Sequence, residues 1–342
     1  MVRQLISRYK NYKKQGFLRQ PERYQRHYAF VGAGGHSIDN LYPVLDFLAV
    51  PLKYIVTRRP ENALRMAQRY PGATGVTDLS QVLSDEEVAG VFVCTQPAAH
   101  FQLAEQILRA GKGVFVEKPP CTSLAELDTL IENSGSLPFV VGLQKRYATV
   151  YQLLQKRTKQ GLHYQFRYLT GGYPEGNPWW DLFIHPLDVA VFLFGPAKVL
   201  SVQRESDTFF VHLRHEQGTL GSLMLSTGYS WQTPEEQLEV RTAKGNFLCR
   251  SLNDLVFTPS GASVLGVPLE KVMATPPKSE QLYQNNGFVP LRHFNPLYAH
   301  GYAGELEAFV RLCEGEKATN LSHPSDIRPT FALLEELAEA YK

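Results

Sequence analysis

The apolar pentapeptide His27–Val31 (HYAFV) runs directly into Gly32-Ala33-Gly34-Gly35-His36-Ser37, and no other stretch constrains the fold so tightly. A buried strand that ends in glycines must turn sharply. Glycines at the first and third positions of such a turn let backbone N–H groups approach a pyrophosphate at the start of a helix. The last position of the GxGxxG pattern is Ser37, a side chain small enough for the same place. Beyond this loop the pattern alternates: residues 52–57, 88–95 and 114–117 read as strands, with helical stretches at 63–69 and 101–110 between them. Strands alternating with helices make a parallel sheet covered on both faces. The spacing therefore predicts a Rossmann dinucleotide-binding domain over residues 28–146.

After residue 146 the period changes to two. Tyr164, Phe166 and Tyr168 alternate with Gln165 and Arg167, and Leu238 and Val240 alternate with Glu239 and Arg241. Turn signals stand at residues 215–218 and 243–246. This is the pattern of a large, mostly antiparallel open sheet with one wetter face, so the expected class is α/β, with an α/β substrate domain over residues 147–342. Two helical stretches, 304–313 and 325–341, close the chain.

No apolar run approaches the ~20 residues of a membrane-spanning helix, so no transmembrane segment is expected. Cys94, Cys121, Cys249 and Cys313 lie far apart without a CxxC pair, which argues against a zinc knuckle or disulfide framework and for a cytoplasmic location. Charge is unevenly placed. Residues 1–28 hold eight Lys/Arg (Arg3, Arg8, Lys10, Lys13, Lys14, Arg19, Arg23, Arg26) against Glu22, a net +7 in a chain of total +2, which leaves the remainder at −5. A mildly acidic body with no recognisable nucleic-acid motif excludes nucleic acid as a partner. Val2, Leu5, Ile6, Tyr9 and Tyr12 recur at helical spacing, so residues 1–27 form a basic extension that either packs on the body or a sister subunit or meets a membrane surface or a polyanion.

A second strand that ends in an acid would select NAD by binding the ribose hydroxyl. Here it ends Thr57-Arg58-Arg59, a hydroxyl and two guanidinium groups suited to the 2′-phosphate of NADP, with NAD still possible. Solvated arginines at the start of a helix are the alternative.

Three stretches together resemble the Gfo/Idh/MocA oxidoreductases, named for glucose-fructose oxidoreductase and inositol dehydrogenase. They are the glycine loop, CTQPAAH (Cys94 to His100) and VFVEKPP, which carries Glu117-Lys118-Pro119 intact. The family's second loop has proline where this chain has Gln96, but Thr95 and His100 keep their spacing. The resemblance covers nearly the whole chain from Tyr28. It implies a catalytic Lys118 at the junction of nicotinamide and substrate. It also implies that Gly32, Gly34, Gly35, His36, Ser37, Thr57, Arg58, Arg59, Thr95, Gln96, His100, Glu117 and Lys118 meet the cofactor. The substrate is then a carbohydrate-like small molecule: a sugar, cyclitol or sugar nucleotide whose secondary alcohol and ketone are interconverted. A homodimer or homotetramer would form through the C-terminal sheet. NAD-dependent glycosidase-like chemistry on the same fold, or cofactor sensing without turnover, are the rival functions.

Residues 171–188 (GGYPEGNPWWDLFIHPLD) hold the second constellation. Asp181 and His185 are four apart and share a helical face, with Asp188 a turn further. Pro186 either starts or bends that helix. The family pattern D-x-G-x-H-x-x-D implies an Asp181–His185 pair at the substrate, although Phe183 replaces its glycine. A structural helix with a core histidine and a metal site of Asp181, His185 and Asp188 are the competing readings. His212 and His215 add no ligand, because three positions apart on a strand they face opposite ways. Trp179 and Trp180 with Tyr173 would either stack on a sugar ring or pack in the core, and Arg146 would contact substrate or form a domain-junction salt bridge. No metal is expected.

Overall fold

The computed structural model describes residues 2–18, 24–174, 176–274, 276, 278–288 and 294–339. Six strands form a parallel sheet: β1 (His27–Val31), β2 (Leu52–Val56), β3 (Thr74–Val76), β4 (Val88–Val93), β5 (Gly113–Glu117) and β6 (Phe139–Gly142). Their order is β3-β2-β1-β4-β5-β6, so the winding reverses between β1 and β4. At such a reversal the connections leave in opposite directions and open a crevice beyond the strand ends. All five residues of β5 are buried, as a central strand covered on both faces requires.

The second sheet has eight strands: β7 (Gly161–Gly171), β8 (Ala197–Glu205), β9 (Thr208–His215), β10 (Leu220–Tyr229), β11 (Glu235–Thr242), β12 (Gly245–Arg250), β13 (Asp254–Pro259) and β16 (Glu280–Gln284). Between the last two, β14 (Ser263–Val264) pairs only with β15 (Val267–Pro268). The order is β16-β13-β12-β11-β7-β10-β9-β8, antiparallel throughout except for β7 with β10. Along β9 every second side chain is buried. His215 therefore points inward to Tyr164 (3.0 Å), while His212 faces out to Ser201 (3.1 Å).

The division at residue 146 does not separate two cores. The helix Tyr302–Cys313 returns to cover one face of the first sheet, where Phe309 packs edge-on against Phe92 and Tyr28 Oη donates to Val310 O (3.2 Å). A β-carbon at Gly90 would come within 2.8 Å of the Phe309 ring, so only glycine lets this helix sit so close.

The N-terminal extension is also shorter than expected. Tyr24 is buried in that core, and the amides of Gln25 and Arg26 donate to the Glu314 carboxylate at 3.0 and 3.1 Å. The basic segment forms the helix Val2–Leu18, whose residues 2–12 are all exposed. Arg19, Glu22 and Arg23 lie outside the described residues, as does the end of the helix expected to reach residue 341, here Pro324–Glu339.

Candidate active site

A cleft of about 700 Å³ opens at the reversal point. Gly32, Gly34, Gly35, His36 and Ser37 line it with Thr57, Arg58, Arg59, Thr95 and Gln96. Gly32 cannot be replaced there. Its φ is +118°, and a β-carbon would run into the Cys94 carbonyl of neighbouring β4. A β-carbon at Gly34 or Gly35 would meet only open space, which leaves their backbone accessible from the cleft. Ser37 is fully buried and donates to Gly34 O (2.8 Å), holding the turn against the adjoining helix. The first N–H groups of that helix have no partner within it and suit an anion.

At the other end, Arg58 and Arg59 are exposed at the rim, and neither is in an ion pair among the described residues. The Thr57 hydroxyl donates to Arg59 O (2.8 Å).

His100 was expected to meet the cofactor, but it does not line the cleft. It is buried, with Nδ1 2.8 Å from Pro119 O and Nε2 3.1 Å from Thr95 O, and it pins together the loops that leave β4 and β5. Burial pushes its pKa down. Glu117, paired with Gly142 across β5 and β6, is buried where a β-carbon at Gly142 would collide with its carboxyl group. It reaches the cleft through His36 Nε2, 3.2 Å away. Burial opposes charge on His36, but the hydrogen bond and charge of Glu117 outweigh it and raise the histidine pKa.

Lys118 stands at the tip of β5, ahead of a cis Lys118–Pro119 bond. Its Nζ donates to the backbone carbonyl of Asp181 at 2.5 Å. The local fold explains why that carbonyl is free. Residues Trp179–Phe183 form a π-helical turn that continues as the α-helix Ile184–Phe194. Pro186, five residues beyond Asp181, has no proton with which to complete the wide turn. Burial lowers the Lys118 pKa, while the Glu117 and Asp181 carboxylates hold it up.

Burial raises the Asp181 pKa, opposed by Lys118, the Asn177 contact and a hydrogen bond from Tyr173. His185 is buried and its Nδ1 has no hydrogen-bond partner among the described residues. Burial, Lys118, Lys145 and His36 together push its pKa well below the usual value, so the imidazole is neutral. Lys118, Asp181 and His185 thus share one enclosure where the two sheets meet.

Of the two alternatives for Arg146, the structure shows the domain-junction salt bridge: Arg146 is buried, forms a bidentate pair with Asp188 (2.8 and 2.6 Å), and also donates to Leu321 O (2.9 Å) and Asp326 O (3.3 Å). Asp188, also bonded by Thr330 (2.8 Å), is thereby unavailable to a metal. Among the described residues no three His, Cys, Asp or Glu side chains are grouped to hold one. Trp180 packs on Phe331 with ring centroids 5.2 Å apart. Phe183, in place of glycine, points away from the site into the second sheet's core against Trp179 and Phe209.

The neighbour of Arg146 was overlooked. Lys145 is buried against Glu236 (2.6 Å), which also accepts from Tyr151 (2.6 Å), and it lies over the Tyr168 ring. Burial works against its charge, but Glu236 prevails and raises its pKa. Its charge also helps to lower the His185 pKa. The stretch Gln144-Lys145-Arg146-Tyr147 carried the signal, one residue early.

Residues 26–141 match an oxidoreductase family described as having an NAD-binding Rossmann fold. The chain is 29% identical over 135 residues to 4-carboxy-2-hydroxymuconate-6-semialdehyde dehydrogenase of Sphingobium sp., covering 39% of this chain and 43% of that one. It is 26% identical over 208 residues to scyllo-inositol 2-dehydrogenase (NADP(+)) of Bacillus subtilis, 53% and 57% of the two chains. Both matches span well under two thirds of the relative's length. A crystal structure of a dehydrogenase from Chromobacterium violaceum shares the fold, with a TM-score of 0.77, 20% identity, and 93% and 95% of the two chains covered.

Proposed function

We propose that the chain is a Gfo/Idh/MocA oxidoreductase that interconverts a secondary alcohol and a ketone on a sugar, cyclitol or sugar nucleotide with NADP. The observation that carries this reading is the meeting of Lys118, Asp181 and a neutral His185 beside the glycine-lined cleft. Structural roles alone would not require a half-buried ammonium, a carboxyl and a buried imidazole with an unpartnered Nδ1 side by side.

The cleft fits a dinucleotide: Gly34 and Gly35 leave the pyrophosphate room, and Arg58 and Arg59 present guanidinium groups at the adenosine end. When bound there, NADP supplies the hydride acceptor or donor. Lys118 hydrogen-bonds the reacting oxygen and stabilises alkoxide character as it develops. His185, neutral in the enclosure, takes the alcohol proton on oxidation and returns it on reduction. Asp181 orients the substrate hydroxyls through the carboxylate that Tyr173 holds. Lys145, paired with Glu236, helps to keep His185 neutral.

The test is a fluorescence titration with NADPH and NADH, and then a sugar and cyclitol panel read by cofactor absorbance. NADPH binds at least about tenfold more tightly, and Arg58→Ala removes most of the difference, as expected for charge-assisted bonds of ~1.5–3 kcal/mol. Equal constants for both cofactors in the unmutated protein exclude the NADP assignment. A panel without turnover in either direction excludes the reaction.

A further inference from the structure

The helix Val2–Leu18 is used by nothing in the site. It carries five Lys/Arg and no acid. At about 100° per residue, Val2, Leu5, Ile6, Tyr9 and Tyr12 fall in one stripe, which gives way to Lys13 in the next turn. Arg8 borders one edge of the stripe, and Arg3 and Lys10 border the other. Uncharged Gln4, Ser7 and Asn11 occupy the opposite pole, with Lys14 between Ser7 and Arg3. Val2, Leu5, Ile6 and Tyr12 are 69%, 60%, 48% and 77% exposed, so the body does not cover the stripe.

We propose that this helix is a peripheral membrane-binding element that lies in the surface of an anionic bilayer. The order of side chains around it is the argument. Cations that flank an apolar stripe, with neutral polar residues behind, allow the stripe to sink to the acyl boundary while long basic side chains reach outward to headgroup phosphates. Phosphates surround such a helix on both sides; a protein groove would need an acidic row on each rim. The outer face of the second sheet offers a sister subunit no such rims. Its exposed Leu200, Phe210 and Leu220 stand with Lys198 and Arg214, of the same sign as the helix.

The experiment is co-sedimentation of the full chain with phosphatidylcholine vesicles and with vesicles in which roughly one-third of the lipid is phosphatidylglycerol, at ~0.1 M salt. Partitioning onto the anionic vesicles is at least about tenfold stronger. The double variants L5E/I6E and R8E/K10E both abolish it. Sedimentation velocity and NADPH titration of the same proteins remain unchanged, because the four substituted residues are exposed and none lines the cleft.

Equal partitioning on the two vesicle types overturns the proposal, as does absence of binding to both. Full binding by L5E/I6E overturns it too, since charge alone would then be responsible. A change in oligomer mass in L5E/I6E with vesicle binding intact assigns the stripe to a sister subunit instead.

Discussion

In the proposed reaction Lys118 and His185 would divide the proton chemistry in a way that sequence does not show. A histidine is expected to titrate near neutrality. Burial together with two ammonium groups instead keeps His185 neutral well below that range. Lys118, whose pKa burial lowers from the usual lysine value, is then the group that titrates on the alkaline side. The kcat/KM for alcohol oxidation should accordingly have no acid limb at the ordinary histidine value of ~6.5, and should fall below pH 10.5 as the ammonium loses its proton. Lys118→Arg should move that alkaline limb upward, and Lys118→Ala should retain NADPH affinity within a few-fold while turnover falls. An alkaline limb that stays in place in Lys118→Arg would assign it elsewhere. His185→Asn should cost ~10²- to 10⁴-fold in turnover; retention of the full rate would make it a packing residue. Arg146→Ala tests the salt-bridge assignment. Removing one partner of a buried pair strands Asp188, so the loss should appear in urea unfolding as about 3–5 kcal/mol. A loss confined to substrate KM would restore Arg146 to the site. Arg146 and Lys145 were easily confused because both lie in the 3₁₀ turn Gln144–Tyr147, where adjacent side chains point about 120° apart and sequence does not say which one faces inward.

At the level of elements, the buried strands were legible because a strand covered on both faces must be a continuous apolar run; β1, β2, β4 and β5 all read that way. The three-residue β3 was missed, since Thr74-Gly75-Val76 is too short to show a period. The parallel pairing of β7 with β10 was also hidden, because it is chosen by distant partners across the sheet and leaves no local mark. The glycine loop was legible for a steric reason that Gly32 makes explicit. The basic helix was legible as a helix, but its boundary with the body was not, because Tyr24 gives no sign of burial in a run of charged residues. A deletion pair measures that boundary. Removing residues 2–18 should leave the thermal midpoint and NADPH affinity unchanged. Removing residues 2–26 also takes away buried Tyr24 and the two amide bonds to Glu314, and should cost roughly 2–3 kcal/mol for the ring alone. Equal stability of the two truncations would move the boundary back to the start of β1.

The whole molecule is held together by its last two helices, which carry the end of the chain back across both sheets. That return has an electrostatic consequence. Glu305, on the helix Tyr302–Cys313, is completely buried, and neither of its carboxyl oxygens has a hydrogen-bond partner among the described residues. Burial, with Glu117 nearby, pushes its pKa well above the usual carboxylate range. A carboxyl group whose folded pKa is raised keeps its proton while the unfolded chain gives it up. Its contribution to stability is therefore fully present below the unfolded value of ~4.3 and is lost as pH rises toward the folded value. The site accordingly weakens the union of the two sheets at neutral pH, beside the strand end that carries Lys118. Glu305→Gln, which cannot ionise, removes that loss. Thermal midpoints of the two proteins should lie close together near pH 5 and separate as pH rises to 8, with the variant the more stable. Groups elsewhere cancel in this difference, so the slope of the gap against pH reports Glu305 alone. A gap that does not change with pH would mean that the carboxyl group has found a partner or solvent, and the helix Tyr302–Cys313 would then be less closely seated on the first sheet than its contacts with Phe92 and Tyr28 require.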